Sequence, residues 1–160
     1  MIDDILYIAL LTFVPTLELR ASIPYGILAT EIHWIWVFVL AVAINFVLGL
    51  VLYPMLDIMI NIAVRIKIFN KLYNIYLRRT QKRIKSYVDR YGELGIALFI
   101  GMPLPGSGTY TGSVAAYALG MRYKRFIIAN AIGVLIAGIL VTAIVLSGAE
   151  FISIFVKYPV

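Results

Sequence analysis

The sequence predicts an all-α integral membrane protein of two inverted repeats. Each repeat is a re-entrant helix hairpin followed by a full transmembrane helix, and an amphipathic basic helix joins them. Three observations carry this expectation. The chain is 62% hydrophobic with mean hydropathy +0.97, against roughly 45–50% apolar residues in soluble domains. Two apolar stretches run uncharged for the length of a span, while two others are interrupted at their centres. The basic residues gather in two clusters, each beside an apolar stretch.

One membrane domain is expected over the 160 residues, with a first repeat at 1–61, a connector at 62–93 and a second repeat at 94–160. Asp3 and Asp4 stand where a cleavable signal would carry basic residues. With no cysteine and a single His33, disulfides and thiolate or histidine-rich metal sites are excluded, and neither metal nor cofactor is expected. The net charge of +6 sits next to membrane segments, which fits anionic lipid headgroups rather than nucleic acid.

Taken in order, Ile5–Leu17 is apolar, and Glu18 and Arg20 interrupt it. Apolar character resumes over Ala21–Thr30, where Ser22 ahead of Pro24 reads as a helix start and Gly26 follows. Trp34 and Trp36 read as interface residues, and Trp34–Leu56 is a 23-residue uncharged span with Asn45 near its middle. Arg65–Arg90 holds nine Lys/Arg against Asp89 alone, with Ile66, Phe69, Tyr73, Tyr76, Ile84 and Tyr87 at helical spacing. With a break near Thr80, that pattern predicts a basic amphipathic helix on the membrane surface, the alternative being a solvated connector.

Leu94–Met121 is uncharged for 28 residues, yet Gly101–Gly112 packs two prolines and four glycines into its centre. Pro103 and Pro105 remove backbone donors, and Gly106, Gly108 and Gly112 weaken a helix further. About nine apolar residues remain on each side, roughly 14 Å of helix, or half a hydrocarbon core. Irregular backbone at that depth must be buried in protein or line a cavity. Phe126–Ala149 then gives a second uncharged span of 24 residues.

Charge fixes the expected topology. Were all four stretches to cross, the clusters at 65–90 and 122–125 would lie on opposite sides, against the positive-inside tendency. If the interrupted stretches turn back, twelve of the 14 basic residues become cytoplasmic and both termini lie outside. A gapless offset of 88 residues also aligns Ile8-Ala9-Leu10 with Ile96-Ala97-Leu98, Pro15 with Pro103, and Phe38, Ala41 and Ile44 with Phe126, Ala129 and Ile132. Paired broken helices in inverted repeats point to a transporter site near the midplane.

Glu18 and Arg20 are the costliest residues within an apolar stretch, and intramembrane charges are functional by default. At a spacing of two they diverge on a helix and converge on extended backbone, so an unwound turn suits them. One reading has Arg20 meet an anionic headgroup while Glu18 exchanges its proton; the other has the two only tie the broken loops together. Ser107, Thr109, Tyr110 and Thr111 add hydroxyls at the second break, where a half-helix beginning near Thr111 would aim free N–H groups. Asn45 and Asn130 read as helix–helix polar contacts. Arg122 and Arg125 mark the cytoplasmic mouth. No motif for hydrolysis or metal-dependent phosphotransfer is present, so no enzymatic activity is expected.

Glu18-Leu19-Arg20-Ala21-Ser22-Ile23-Pro24-Tyr25-Gly26 and Met102-Pro103-Leu104-Pro105-Gly106-Ser107-Gly108-Thr109-Tyr110-Thr111-Gly112 resemble the two signatures of the small multidrug export proteins. That family resembles a distant branch of the DedA (VTT-domain) superfamily. The resemblance implies two re-entrant hairpins plus full spans and proton-linked lipid handling, including return of polyprenyl phosphates across the membrane. It gives Glu18 and Arg20 the first-loop roles. The second loop departs from typical DedA proteins in lacking their arginine. Three functions therefore stand as expectations: a proton-coupled carrier of an anionic lipid such as a polyprenyl phosphate, an exporter of small amphipathic or cationic compounds, and a non-transporting lipid or partner scaffold. Two spans are few for a pathway, so a homodimer in the cytoplasmic membrane, with membrane lipids as partners, is expected.

Overall fold

The structure is a computed structural model. It describes residues 2–15, 17–64, 92–103 and 107–157, and within these the side chains of 57, 60–64 and 149–157 are left aside. The described residues form six helices and no strand. They are α1 (Ile2–Phe13), α2 (Glu18–Ala29), α3 (Trp34–Val64), α4 (Gly92–Gly101), α5 (Thr109–Ala118) and α6 (Tyr123–Lys157).

Proline sets where the short helices stop. It carries no N–H and disfavours helical backbone in the residue before it. So α1 ends just ahead of Pro15, its last turn tightened by a bond from the Val14 N–H to the Leu11 carbonyl at 3.3 Å. By the same logic α4 ends ahead of Pro103. α5 stops differently. Gly120 takes a left-handed φ of 68°, and the Met121 and Gly120 N–H groups return to the carbonyls of Ala116 and Tyr117 at 3.0 and 2.9 Å. That is a Schellman ending, which glycine permits at no steric cost.

α3 and α6, of 31 and 35 residues, are about 46 and 52 Å long at 1.5 Å per residue, beyond the roughly 30 Å of a hydrocarbon core. Their segments Trp34–Leu56 and Tyr123–Gly148 are long and apolar enough to cross a membrane. α1, at 12 residues, and α4, at 10, are not. The order short, short, long thus occurs twice. The 88-residue offset carries α1, α2 and α3 onto α4, α5 and α6 to within three residues at each start.

α3 and α6 pack on one another, and α2 lies among α1, α3 and α6. Leu19 and Ile23 from α2, Ala41 and Tyr53 from α3, Ile96 and Ile100 from α4, and Phe126 and Val134 from α6 close one core. Outside it the surface stays apolar, with Leu10 62%, Ile139 58% and Ile144 61% exposed. In water such a surface would be a liability; against acyl chains it is the expected exterior.

Several expected break residues lie inside helices. Ser22 is not a helix start: α2 begins four residues earlier, and the Ser22 hydroxyl accepts from Thr12 Oγ1 at 2.8 Å, joining α2 to α1. Pro24 and Gly26 lie within α2. Gly26 serves close packing, since a Cβ there would overlap Val37 and Ile8. Gly112 sits inside α5 pressed against Ile100, and α5 starts at Thr109 rather than near Thr111. The described helices break instead between Phe13 and Glu18 and between Gly101 and Thr109. The basic connector 65–90, Pro105 and Gly106 lie outside the described residues.

Candidate functional site

Glu18 opens α2, and it is the one described non-glycine residue with positive φ, at 48°. Left-handed backbone is costly for a side-chain-bearing residue and persists only where its surroundings enforce it. Here the reward is direction. Its carboxylate is turned away from α1 and into the second hairpin, where it is 2% exposed. Oε2 accepts the N–H of Thr109 at 3.0 Å and Oε1 that of Tyr110 at 3.1 Å. These are the first two N–H groups of α5, which no residue earlier in that helix can satisfy. Gly108, at the N-cap, offers no side chain of its own, so Glu18 caps α5 from another hairpin. The positive end of the helix dipole favours an anion at that place.

Asn45 of α3 and Arg20 complete the carboxylate's surroundings. Asn45 Nδ2 and Arg20 Nη1 each donate to Oε2 at 3.3 Å. Gly108 holds a φ of 149°, and a Cβ there would come within 2.5 Å of Glu18 Oε2 and 2.8 Å of Arg20 Nη1. Glycine is therefore required twice over, by its backbone and by the space.

Arg20 does for α4 what Glu18 does for α5. Its Nη2 donates to the carbonyls of Ile100 at 3.1 Å and Met102 at 2.7 Å, and to Ser107 Oγ at 3.2 Å. Those carbonyls lie at the C-terminal end of α4, where acceptors are left over and a cation is favoured. Ser107 Oγ also donates to the Met102 carbonyl at 2.6 Å, fixing the turn. An anion on a helix N-terminus and a cation on a helix C-terminus are thus supplied by two residues of one turn. Glu18 and Arg20 lie where the start of α2 meets the end of α4 and the start of α5. They converge through the left-handed Glu18 rather than through extended backbone.

The remaining candidates divide. Thr109 Oγ1 donates to Asn130 Oδ1 at 3.4 Å, and Asn130 Nδ2 donates to the Phe46 carbonyl at 3.2 Å, linking α5, α6 and α3. Gly49 leaves room for that amide, which a Cβ would overlap. Tyr110 reaches back to the first hairpin, donating its hydroxyl to the Phe13 carbonyl at 2.6 Å. Thr111 bonds locally, donating to the Gly108 carbonyl at 3.4 Å. Arg122 and Arg125 make no described hydrogen bond to Glu18 or Arg20, and Arg125 Nε pairs with Glu93 Oε1 at 3.3 Å where α6 and α4 begin.

The carbonyls of Ile100, Met102 and Phe13 are site partners that no residue type announces. Taken as chemistry, the arrangement is a complete oxyanion site of two helical N–H groups, a guanidinium and an amide, already filled by the chain's own carboxylate. Adding a proton to Glu18 would remove the charge that all four donors address.

Comparison with known proteins gives a family. A family model described as "putative small multi-drug export protein" matches residues 18–140, starting on Glu18 itself and enclosing Arg20, Asn45, Gly108 and Asn130. No curated protein and no solved structure matches the chain significantly. With most of its length covered, the chain belongs to the small multi-drug export protein family, as a membrane protein of helical build.

Proposed function

We propose that the protein is a secondary transporter of the cytoplasmic membrane that exports small amphipathic or cationic compounds, and that protonation of Glu18 releases the second hairpin from the first. The supporting observation is the carboxylate that holds the α5 N-terminus across the hairpin boundary at 3.0 and 3.1 Å. A neutral acid accepts more weakly from N–H groups than a carboxylate, because charge-assisted bonds are about twice as strong. Proton arrival would thus loosen α5 while Arg20 still grips α4. Both hairpins are read as re-entrant and oppositely directed, with the clusters at 65–90 and 122–125 cytoplasmic and both termini outside. A homodimer in contact with membrane lipids, and a distant kinship to the DedA superfamily, complete the reading.

One observation favours a second reading, carriage of an anionic lipid such as a polyprenyl phosphate. Arg20 Nε is buried without a hydrogen-bond partner among the described residues, and a phosphate oxygen would satisfy it. Against that stands the filled oxyanion site, which a lipid phosphate could enter only by displacing Glu18.

The test is transport by purified protein in proteoliposomes under an imposed pH gradient, with ethidium and a labelled polyprenyl phosphate as separate cargoes. The export reading expects gradient-driven ethidium movement that Glu18→Gln abolishes while the protein stays folded. Movement of the lipid alone would establish the second reading. Equal ethidium movement in wild type and Glu18→Gln, or none in either, would refute the first.

A further inference from the structure

Four donors converge on the Glu18 carboxylate: the N–H groups of Thr109 and Tyr110, Arg20 Nη1 and Asn45 Nδ2. Three of them can only give, since neither a backbone N–H nor a guanidinium accepts a hydrogen bond. Asn45 differs, because its amide carries a carbonyl oxygen beside the donor. That oxygen, Oδ1, is buried and has no hydrogen-bond partner among the described residues. The residue is 1% exposed, so bulk solvent does not serve it. A buried polar atom left idle is rare and calls for a reason.

A proton arriving on Glu18 changes what the site lacks. The acid gains an O–H donor that is itself buried, and a buried donor without an acceptor is costly. The two amides of α5 and Arg20 cannot take that bond. Asn45 can, by a half-turn of its amide about the Cβ–Cγ bond. That torsion is broad and roughly two-fold, and the nitrogen and oxygen ends of the amide are close in shape. Facing the carboxylate, Nδ2 donates and Oδ1 is idle; facing the acid, Oδ1 accepts and Nδ2 is idle. Each state engages one end of the amide.

We infer that Asn45 is a positioning residue that keeps Glu18 bonded to α3 in both protonation states, so that the proton frees α5 selectively. The inference rests on the protonation of Glu18 in the export reading and adds its regulation, namely which contact lets go and which holds. One proton is taken from water onto Glu18 Oε2 and later returned to water, and no other covalent bond of the protein changes. The titratable groups beside the carboxylate are Arg20 in its own turn and Tyr110 of α5. α3 and α6 bring neutral amides to this region, Asn45 to Glu18 and Asn130 to Thr109. α1 and α4 bring carbonyls, that of Phe13 to Tyr110 and those of Ile100 and Met102 to Arg20. The anchor also sits on the firmer element. Asn45 lies within the span Trp34–Leu56, whereas the contact released belongs to a helix of 10 residues.

The test is infrared difference spectroscopy of the full chain in detergent through a pH titration, which needs no transport. Subtracting the spectra of Glu18→Gln isolates the acid C=O stretch of Glu18. An acid whose O–H donates a hydrogen bond absorbs at lower wavenumber than one whose O–H is free. Wild type is expected to show the lower band and Asn45→Leu a band shifted upward. A second measurement needs no change at Asn45. In wild type with asparagine isotopically labelled at its side-chain carbonyl, one amide band should move down as the acid band appears, because an idle carbonyl becomes an acceptor. In Glu18→Gln no labelled band should follow the titration.

An acid band at the same position in wild type and Asn45→Leu, or labelled amide bands indifferent to the titration, would overturn the role of Asn45 while leaving the protonation of Glu18 standing. Both signatures in a protein that moves no ethidium would refute export and uphold the role of Asn45. No Glu18 acid band at any pH at which the protein stays folded would refute the protonation reading and this inference together.

Discussion

The two hairpins share an element order but divide the work at their meeting point. The first contributes charged side chains, Glu18 and Arg20, from a single turn. The second contributes backbone: the N–H groups of Thr109 and Tyr110 and the carbonyls of Ile100 and Met102. A helix end already carries partial charge, so a hairpin built from two helix ends needs no ionic residue to bind one. The second hairpin's positive pole is the start of α5 and its negative pole the end of α4. The helix order recurs, and the electrostatics are complementary rather than duplicated.

If charges and helix ends are complementary halves, removing the charges should cost most. Glu18→Ala leaves two N–H groups and a buried guanidinium without their anion. We expect a loss of about 3–5 kcal/mol, the scale for breaking a buried pair from one side, read as a large drop in melting temperature in detergent. Gly108→Ala attacks the same contact from the other hairpin, by strained backbone and by overlap with Glu18. Its expected cost is about 2–3 kcal/mol, and the Glu18→Ala/Gly108→Ala double variant should melt well above the sum of the two losses. Additive losses would mean that Gly108 and Glu18 do not share one contact.

Arg20→Lys keeps charge and loses the fork. A single ammonium cannot serve Glu18, Ile100, Met102 and Ser107 together, so a loss of about 1–2 kcal/mol is expected from thermal melts. An unchanged melting temperature would show that charge alone suffices. Smallest should be Tyr110→Phe, which deletes the bond to the Phe13 carbonyl for about 1 kcal/mol. That contact runs from a side chain of the second hairpin to backbone of the first. A loss as large as that of Glu18→Ala would break the proposed division of labour.

What was legible in the sequence follows from what is local. Uncharged length announces a span, and proline announces a stop, so both long helices and the stop at Pro103 could be placed, whereas the first stop falls ahead of Pro15 and not within Glu18–Gly26, where the break was expected. Glu18 and Arg20 stood out because an ionic residue in an apolar stretch is expensive wherever it points. Their partners did not, since any residue owns an N–H and a carbonyl and only the fold decides which helix end lies nearby. Ser22 and Gly26 misled for a related reason. Each has a local meaning, as cap or breaker, that tertiary packing overrode: Ser22 bonds Thr12, and Gly26 admits Val37. The left-handed backbone of Glu18 left no trace in the sequence, because glutamate does not favour it.

The central claim is that the Glu18 carboxylate caps α5 from the first hairpin. It is tested most directly by amide hydrogen exchange at Thr109 and Tyr110, measured by NMR on labelled protein in detergent micelles, for wild type and Glu18→Ala. The account predicts slow exchange at both amides in wild type and a marked acceleration at both in the variant, with amides in the middle of α6 unchanged. Equal exchange at Thr109 and Tyr110 in the two proteins, with the variant folded, would contradict it.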